Sequence, residues 1–272
     1  MIGRRSILTL SLLAMLAFCA FGAQSAFAWS TATNTTVFEC STAAPVLDYA
    51  DAHCDNNTTG PFVRGHKTIT AGTSVGIETS NAATKNNTTE AEPAVLKGTL
   101  LGVAVTITCK KVSPDTEPES PEKPSFVKNI ETSTTSDFEG TSKVVFTECT
   151  QTGNGAEPGC KVKEPITLAS IFHGVEQTTG TTREMAIEFT PDPSTSTTFV
   201  TLHFTGSCLL AEANVKGKAR GTGSGAGNNG ATLKFLPADE ELTFGGNAAT
   251  FEGIFTTKVS STGNALVTTT AK

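Results

Sequence analysis

Hydrophobic and polar positions alternate with period two along most of the chain, and no long apolar run at the 3.6-residue spacing of a helix follows residue 28. The most regular stretch is Thr99–Cys109. Leu101, Val103, Val105, Ile107 and Cys109 fall on one face of it, and Gly102, Ala104, Thr106 and Thr108 on the other. A bulky face opposite a small, hydroxylated one predicts a half-buried strand. The same alternation predicts strands at Phe126–Thr132, Thr141–Cys149 and Cys160–Ile171. Arg183–Thr190 sets Met185, Ile187 and Phe189 against Glu184 and Glu188, and Thr198–Cys208 groups Val200, Leu202, Phe204 and Cys208. Shorter strands are expected at Val37–Cys40, Lys216–Arg220, Leu233–Leu236, Glu241–Phe244, Thr250–Val259 and Ala265–Thr269, with Lys216–Arg220 as an exposed one. Roughly a dozen short strands with turns every 8–12 residues predict an all-β fold, an antiparallel sandwich or barrel-like architecture. The phenylalanines sit largely on apolar faces and read as core.

Between these runs the composition changes. Pro61–Thr79 mixes turn residues with short β-branched pieces, and Ser80–Glu92 reads as a loop. Ser113–Ser125 carries four prolines among mixed charges. Proline lacks an amide donor, so this stretch is expected to be an exposed insertion rather than a central strand. Gly221–Gly230 reads as a flexible loop or hairpin end. Asn34, Asn56, Asn57, Asn86 and Asn87 head N-x-T sequons.

The first residues follow a different pattern. Arg4 and Arg5 precede an apolar run from Ile7 to Phe21 and a small-residue ending, Ala26-Phe27-Ala28. This order predicts a secretory signal peptide over 1–28, with the all-β exported unit over 29–272. The apolar run is shorter than the roughly 20 residues a spanning helix needs. Leu16-Ala17-Phe18-Cys19 faintly matches a lipoprotein signal, but the bulky Phe18 precedes Cys19 where a small residue is usual. No later segment is apolar enough to span as a helix, so the processed protein is expected outside the cytoplasm, secreted or cell-surface associated.

Loss of Arg4 and Arg5 would take the formal charge from −6 to −8. An acidic chain without a basic cluster argues against nucleic acid and against anionic membranes as partners. Seven cysteines occur, and Cys19 would leave with the signal. The remaining six are Cys40, Cys54, Cys109, Cys149, Cys160 and Cys208. In an exported chain they read as disulfides rather than metal ligands. Six cysteines allow 15 connectivities. Spacing favours Cys40–Cys54 and Cys149–Cys160 as local clamps, which leaves Cys109–Cys208 as a long-range bridge between strands.

Candidate chemistry is sparse. Gly72-Thr73-Ser74-Val75-Gly76 matches the G-x-S-x-G nucleophile elbow, yet no amphipathic helix follows to hold Ser74 as that motif requires. Gly225, Gly227 and Gly230 match a dinucleotide fingerprint in spacing, but a strand rather than a helix follows. His53, His66, His173 and His203 include no metal-binding pair spacing, and His53 beside Cys54 suggests zinc only in a reducing compartment. Asp48, Asp51 and Asp55 lack the ligand order of a calcium loop. Glu240 and Glu241 are adjacent on a strand, so they face opposite ways and cannot converge on one sugar. Trp29 and Tyr49 are the only residues of their types, which limits stacking on a glycan. No catalytic, cofactor-binding or metal-binding residue is therefore assigned, and no cofactor is expected.

The order of several short motifs adds a resemblance. Gly102–Cys109 reads Gly-Val-x-Val-Thr-x-Thr-Cys; Val144–Thr150 reads Val-Val-Phe-Thr-x-Cys-Thr, with Cys160 close behind; Phe204–Cys208 reads Phe-Thr-Gly-x-Cys. Upstream, Cys40 and Cys54 precede Thr70-Ala71-Gly72-Thr73. Over about two thirds of the processed chain this resembles a group of uncharacterised exported β-rich proteins of actinobacteria. The resemblance implies export, disulfides and a β fold, and it carries no activity or site residues to transfer. The expectation is a structural or interaction role at or near a bacterial surface. The alternatives are a secreted module binding a glycan or cell-wall component, and a hydrolase using Ser74.

Overall fold

The computed structural model describes residues 29–32, 35–41, 60–61, 63–81, 92–115, 125–132, 135–153, 159–179, 182–194, 196–223, 232–235, 237 and 240–270. Within them the chain forms seventeen strands. In order they are β1 (Ser30–Thr31), β2 (Thr35–Ser41), β3 (Val63–Thr68), β4 (Val75–Asn81), β5 (Ala94–Leu100) and β6 (Val103–Pro114). Then come β7 (Phe126–Glu131), β8 (Ser136–Thr152), β9 (Lys161–Val162), β10 (Ile166–Thr179), β11 (Thr182–Thr190) and β12 (Val200–Thr205). The last are β13 (Glu212–Gly223), β14 (Thr232–Phe235), β15 (Glu241–Phe244), β16 (Asn247–Val259) and β17 (Leu266–Thr270). The expected all-β antiparallel class is what the chain adopts.

Long strands that change partners shape the main sheet of fourteen strands. β8 pairs with β7 through residues 136–141 and with β6 through 144–152, while its other edge holds β10. β16 likewise passes from β15 and β5 at its start to β14 and β4 at its end. Followed neighbour to neighbour, β7, β8, β10, β11, β13, β14, β16 and β4 return to β7, so one end of the sheet closes into a ring. The other end runs β8, β6, β5, β16, β15, β13, β12, β9, and among the described residues no pairing joins β9 back to β8.

A second sheet of three strands, β17, β2 and β3, packs on the closed end. Its Val37 and Leu266 share an apolar cluster with Val127, Phe138, Phe172 and Val259 of the ring. Asn129, only 1% exposed, ties the two sheets together. Its carboxamide oxygen accepts from the Val37 N–H at 2.8 Å, and its nitrogen donates to the carbonyls of Val37 at 3.0 Å and Ile69 at 2.8 Å. A buried amide is tolerated because every group it meets is a backbone group that would otherwise be unpaired.

The structure corrects the sequence expectations in several places. Thr99–Cys109 is not one strand but the turn and second arm of a hairpin. Leu100 pairs with Val103, and Leu101 (φ 50°) and Gly102 (φ 81°) form the two-residue turn. Positive φ at both positions is the hairpin geometry that matches strand twist, a place usually taken by Asn-Gly. Leu101 is 67% exposed and Val103 37%, whereas Val105, Ile107 and Cys109 do face inward. Leucine in the left-handed region costs roughly 1–2 kcal/mol and asparagine less. Leu101→Asn should therefore raise the unfolding free energy by about 1 kcal/mol in urea titration. A loss would mean that the Leu101 side chain packs in a way its exposure conceals.

The second correction concerns Ser113–Ser125. Ser113 and Pro114 belong to β6 and lie opposite Val145 and Val144, so the strand runs into the proline-rich stretch before leaving the described residues after Asp115.

The third concerns disulfides. Cys109 pairs with Cys149, and Cys160 with Cys208. Cys109 and Cys149 lie directly opposite each other in the β6–β8 pairing. The chain then leaves β8, and β9 pairs with β12, with Lys161 opposite Thr205, which brings Cys160 to Cys208. Strand pairing thus overrides closeness in sequence. Cys40 is also oxidised, and its partner, like the expected Cys40–Cys54 bridge, lies outside the described residues. Oxidised cysteines point to an oxidising environment.

Candidate functional site

Inside the ring is a cavity of about 150 Å³. Its lining reaches from Val37, Leu266 and Thr268 of the small sheet to Val200 and Leu202 of β12 near the open end. Period-two alternation supplies the walls. β8 turns Phe138, Ser142, Val144 and Phe146 inward, and β10 turns in Ile166, Leu168, Ser170 and Phe172. At Glu148 (φ 55°) the inward positions of β8 pass from even to odd residues, which brings Cys149 round to Cys109. The Glu164 carboxylate accepts the N–H groups of Glu148 at 2.6 Å and Cys149 at 2.8 Å and holds this bend.

Phenylalanine rings form much of the lining. Phe138, Phe172, Phe189, Phe235 and Phe251 follow one another with centroids 5.3–6.4 Å apart. Gly140 makes room for one link. A Cβ there would stand 2.4 Å from the Phe172 ring, so the ring comes this close to the paired strand only because the side chain is missing.

Among the described residues the cavity is lined by apolar groups with a few hydroxyls and no ionisable side chain. Thr79 and Thr257 satisfy each other at 3.0 Å. Ser142 and Ser170 face each other across the β8–β10 pair. Ser170 is 2% exposed, and its hydroxyl has no hydrogen-bond partner among the described residues. An unpaired buried hydroxyl in an apolar wall is unusual and calls for a cause.

A charged cluster lies on the outer face of the ring. Glu188 and Arg220 are cross-strand partners, both buried. Arg220 donates to Glu188 through Nε at 2.8 Å and Nη2 at 2.7 Å, and to Glu241 at 2.9 Å; Lys218 donates to Glu188 at 2.9 Å. The Trp29 ring lies 5.6 Å from the Arg220 guanidinium. Lys216–Arg220 is thus not an evenly exposed strand, because Arg220 lies beneath Trp29 and against Glu188.

Burial raises the Glu188 pKa, but hydrogen bonds and charge from Lys218 and Arg220 outweigh it and hold the carboxyl below its ordinary value. Asp137 moves the other way: burial raises it more than hydrogen bonds from Phe138 and Thr35 and the nearby His173 lower it. The signs oppose. Stability from Glu188 is present above the unfolded carboxylate pKa and lost as pH falls through its lowered folded value. Asp137 destabilises as pH rises through its raised value. Glu188→Gln should therefore weaken the acid-side loss of stability, and Asp137→Asn should stabilise the protein at pH 7. Urea unfolding at pH 3–7 reads both, and the same slope in all three proteins would refute the assignment.

The residues considered from sequence do not come together. Ser74 is exposed ahead of β4, and a strand follows it where an elbow needs a helix. His203 is exposed, 3.7 Å from Glu212, and His173 lies 4.0 Å from Glu188. His66 is on β3. Glu240 accepts the Phe251 N–H, while Glu241 holds Arg220. His53, Tyr49, Asp48, Asp51, Asp55, Gly225, Gly227 and Gly230 lie outside the described residues. Among the described residues no group of three His, Cys, Asp or Glu side chains is placed to hold a metal ion. Sequence reading missed the cavity. Its available signal was Ser142 and Ser170, polar residues at positions where the alternation demands apolar ones.

No protein-family model, curated protein or solved structure matches this chain.

Proposed function

We propose that this protein is an exported binding protein, placed at or near a bacterial surface, that holds a small and largely apolar molecule inside its β ring. The cavity carries the reading. Protein interiors are packed to crystal density with few voids larger than water, whereas here several strands leave space between aromatic walls. A void of this size lined by apolar groups is known to take up molecules such as benzene. The arginine-led start, the A-x-A ending, the oxidised cysteines and the likeness to exported actinobacterial β proteins support the location. On this reading a small apolar molecule is the object of the interaction role expected from sequence. A glycan requires many polar partners and an exposed ring, and Trp29 is engaged with Arg220. The Ser74 hydrolase reading gains no supporting neighbour among the described residues.

Thermal unfolding with and without saturating toluene tests the proposal. Toluene should raise the wild-type Tm by roughly 2–4 °C, as expected for ligand that binds only the native state. Ala219→Phe and Ala94→Leu, which place bulk at lining positions, should lose that shift while staying folded. No toluene shift in the wild type would overturn it.

A further inference from the structure

The cavity wall is apolar except at a few points, and one of these is unlike the rest. Thr79 and Thr257 pair with each other, so their hydroxyls ask nothing of a ligand. Ser170 is buried, lines the cavity and leaves its hydroxyl without a partner among the described residues, although Ser142 lies directly across from it. On the next inward pair along these strands Phe172 crosses Gly140, and on the other side Leu168 faces Val144. The two serines are therefore a single polar step in the otherwise apolar part of the wall that β8 and β10 form.

We propose that Ser142 and Ser170 are the anchor of the binding site, and that its ligand is an apolar molecule bearing one uncharged hydrogen-bonding oxygen, such as an alcohol or ketone. This rests on the cavity being a binding site. Leaving a buried hydroxyl unpaired costs free energy that an apolar residue of similar size would avoid, so a ligand oxygen is the partner that makes Ser170 favourable there. The oxygen is neutral because the described lining residues include no Lys, Arg or His to balance a carboxylate or phosphate, and an unpaired buried charge is far costlier than an unpaired dipole. The same lack of ionisable groups separates anchor from nucleophile: no base among the described lining residues stands beside either serine to activate it. The serines orient a ligand and do no covalent chemistry.

Three probes of nearly one shape decide the matter: toluene, benzyl alcohol and benzoate, titrated into the oxidised protein by calorimetry or ligand-observed NMR. Wild-type protein should bind toluene and benzyl alcohol, and benzoate at least about a hundredfold more weakly. Ser170→Ala should weaken benzyl alcohol about fivefold, the equivalent of one ordinary hydrogen bond, and leave toluene unchanged or tighter. Ser142→Ala should weaken benzyl alcohol in the same direction. Benzyl alcohol affinity unaltered in both variants, with toluene still bound, overturns the anchor and leaves the cavity proposal standing. Benzoate binding as well as benzyl alcohol also overturns it. Failure of toluene and benzyl alcohol alike overturns both proposals.

Discussion

Replacing Cys109 and Cys149 together by alanine should lower the unfolding free energy by about 4 kcal/mol, the value that loop entropy gives for a bridge of this span. The two residues are 40 apart in sequence and face each other across β6 and β8, where β8 changes its inward face. The bridge therefore closes a long loop and pins the bend at Glu148. Urea unfolding of the double variant, with the Cys160–Cys208 bridge intact, gives the number. A non-reducing peptide map of the wild type should recover Cys109 linked to Cys149 and Cys160 linked to Cys208. A loss below about 1 kcal/mol, or a Cys149–Cys160 peptide, would contradict this account of how the open end is held.

Asn129→Leu is the second large effect. Leucine is close to asparagine in size, so packing changes little, but three backbone groups lose their partner: the Val37 N–H and the carbonyls of Val37 and Ile69. At roughly 1 kcal/mol or more for each buried group left unpaired, the loss should be about 3 kcal/mol. It should also be local. Amide exchange at Val37 should accelerate more than exchange in β10 or β11, because Asn129 joins the small sheet to the ring. A loss under about 1 kcal/mol would show that the apolar cluster around Val37 and Phe138 holds that sheet by itself.

The strands were legible in the sequence wherever one side of the sheet faced the interior. Arg183–Thr190, Thr198–Cys208 and Thr250–Val259 announce β11, β12 and β16 through alternation alone, since burial of one face imposes it. The Leu101–Gly102 turn escaped because a leucine held at positive φ keeps the alternation of the run unbroken. Ring closure escaped because it depends on the β4–β7 and β10–β8 pairings, which no local pattern encodes. Connectivity of the cysteines followed the same long-range pairings, so spacing misled. Glu188 and Arg220 read as solvent-facing charges because their mutual partnership exists only once β11 and β13 lie side by side. The cavity was least legible of all: it is the difference between the space strands enclose and the volume their side chains fill. Ser170, between Leu168 and Phe172, and Ser142, between Gly140 and Val144, broke the pattern at the place that now matters.

A crystal of the oxidised protein pressurised with xenon tests the cavity most directly, since xenon occupies dry apolar voids without needing a hydrogen bond. The account predicts xenon inside the ring, among Phe172, Phe189, Phe235 and Phe251 and near Ser170. An interior without xenon, with those rings packed into the space, would contradict it.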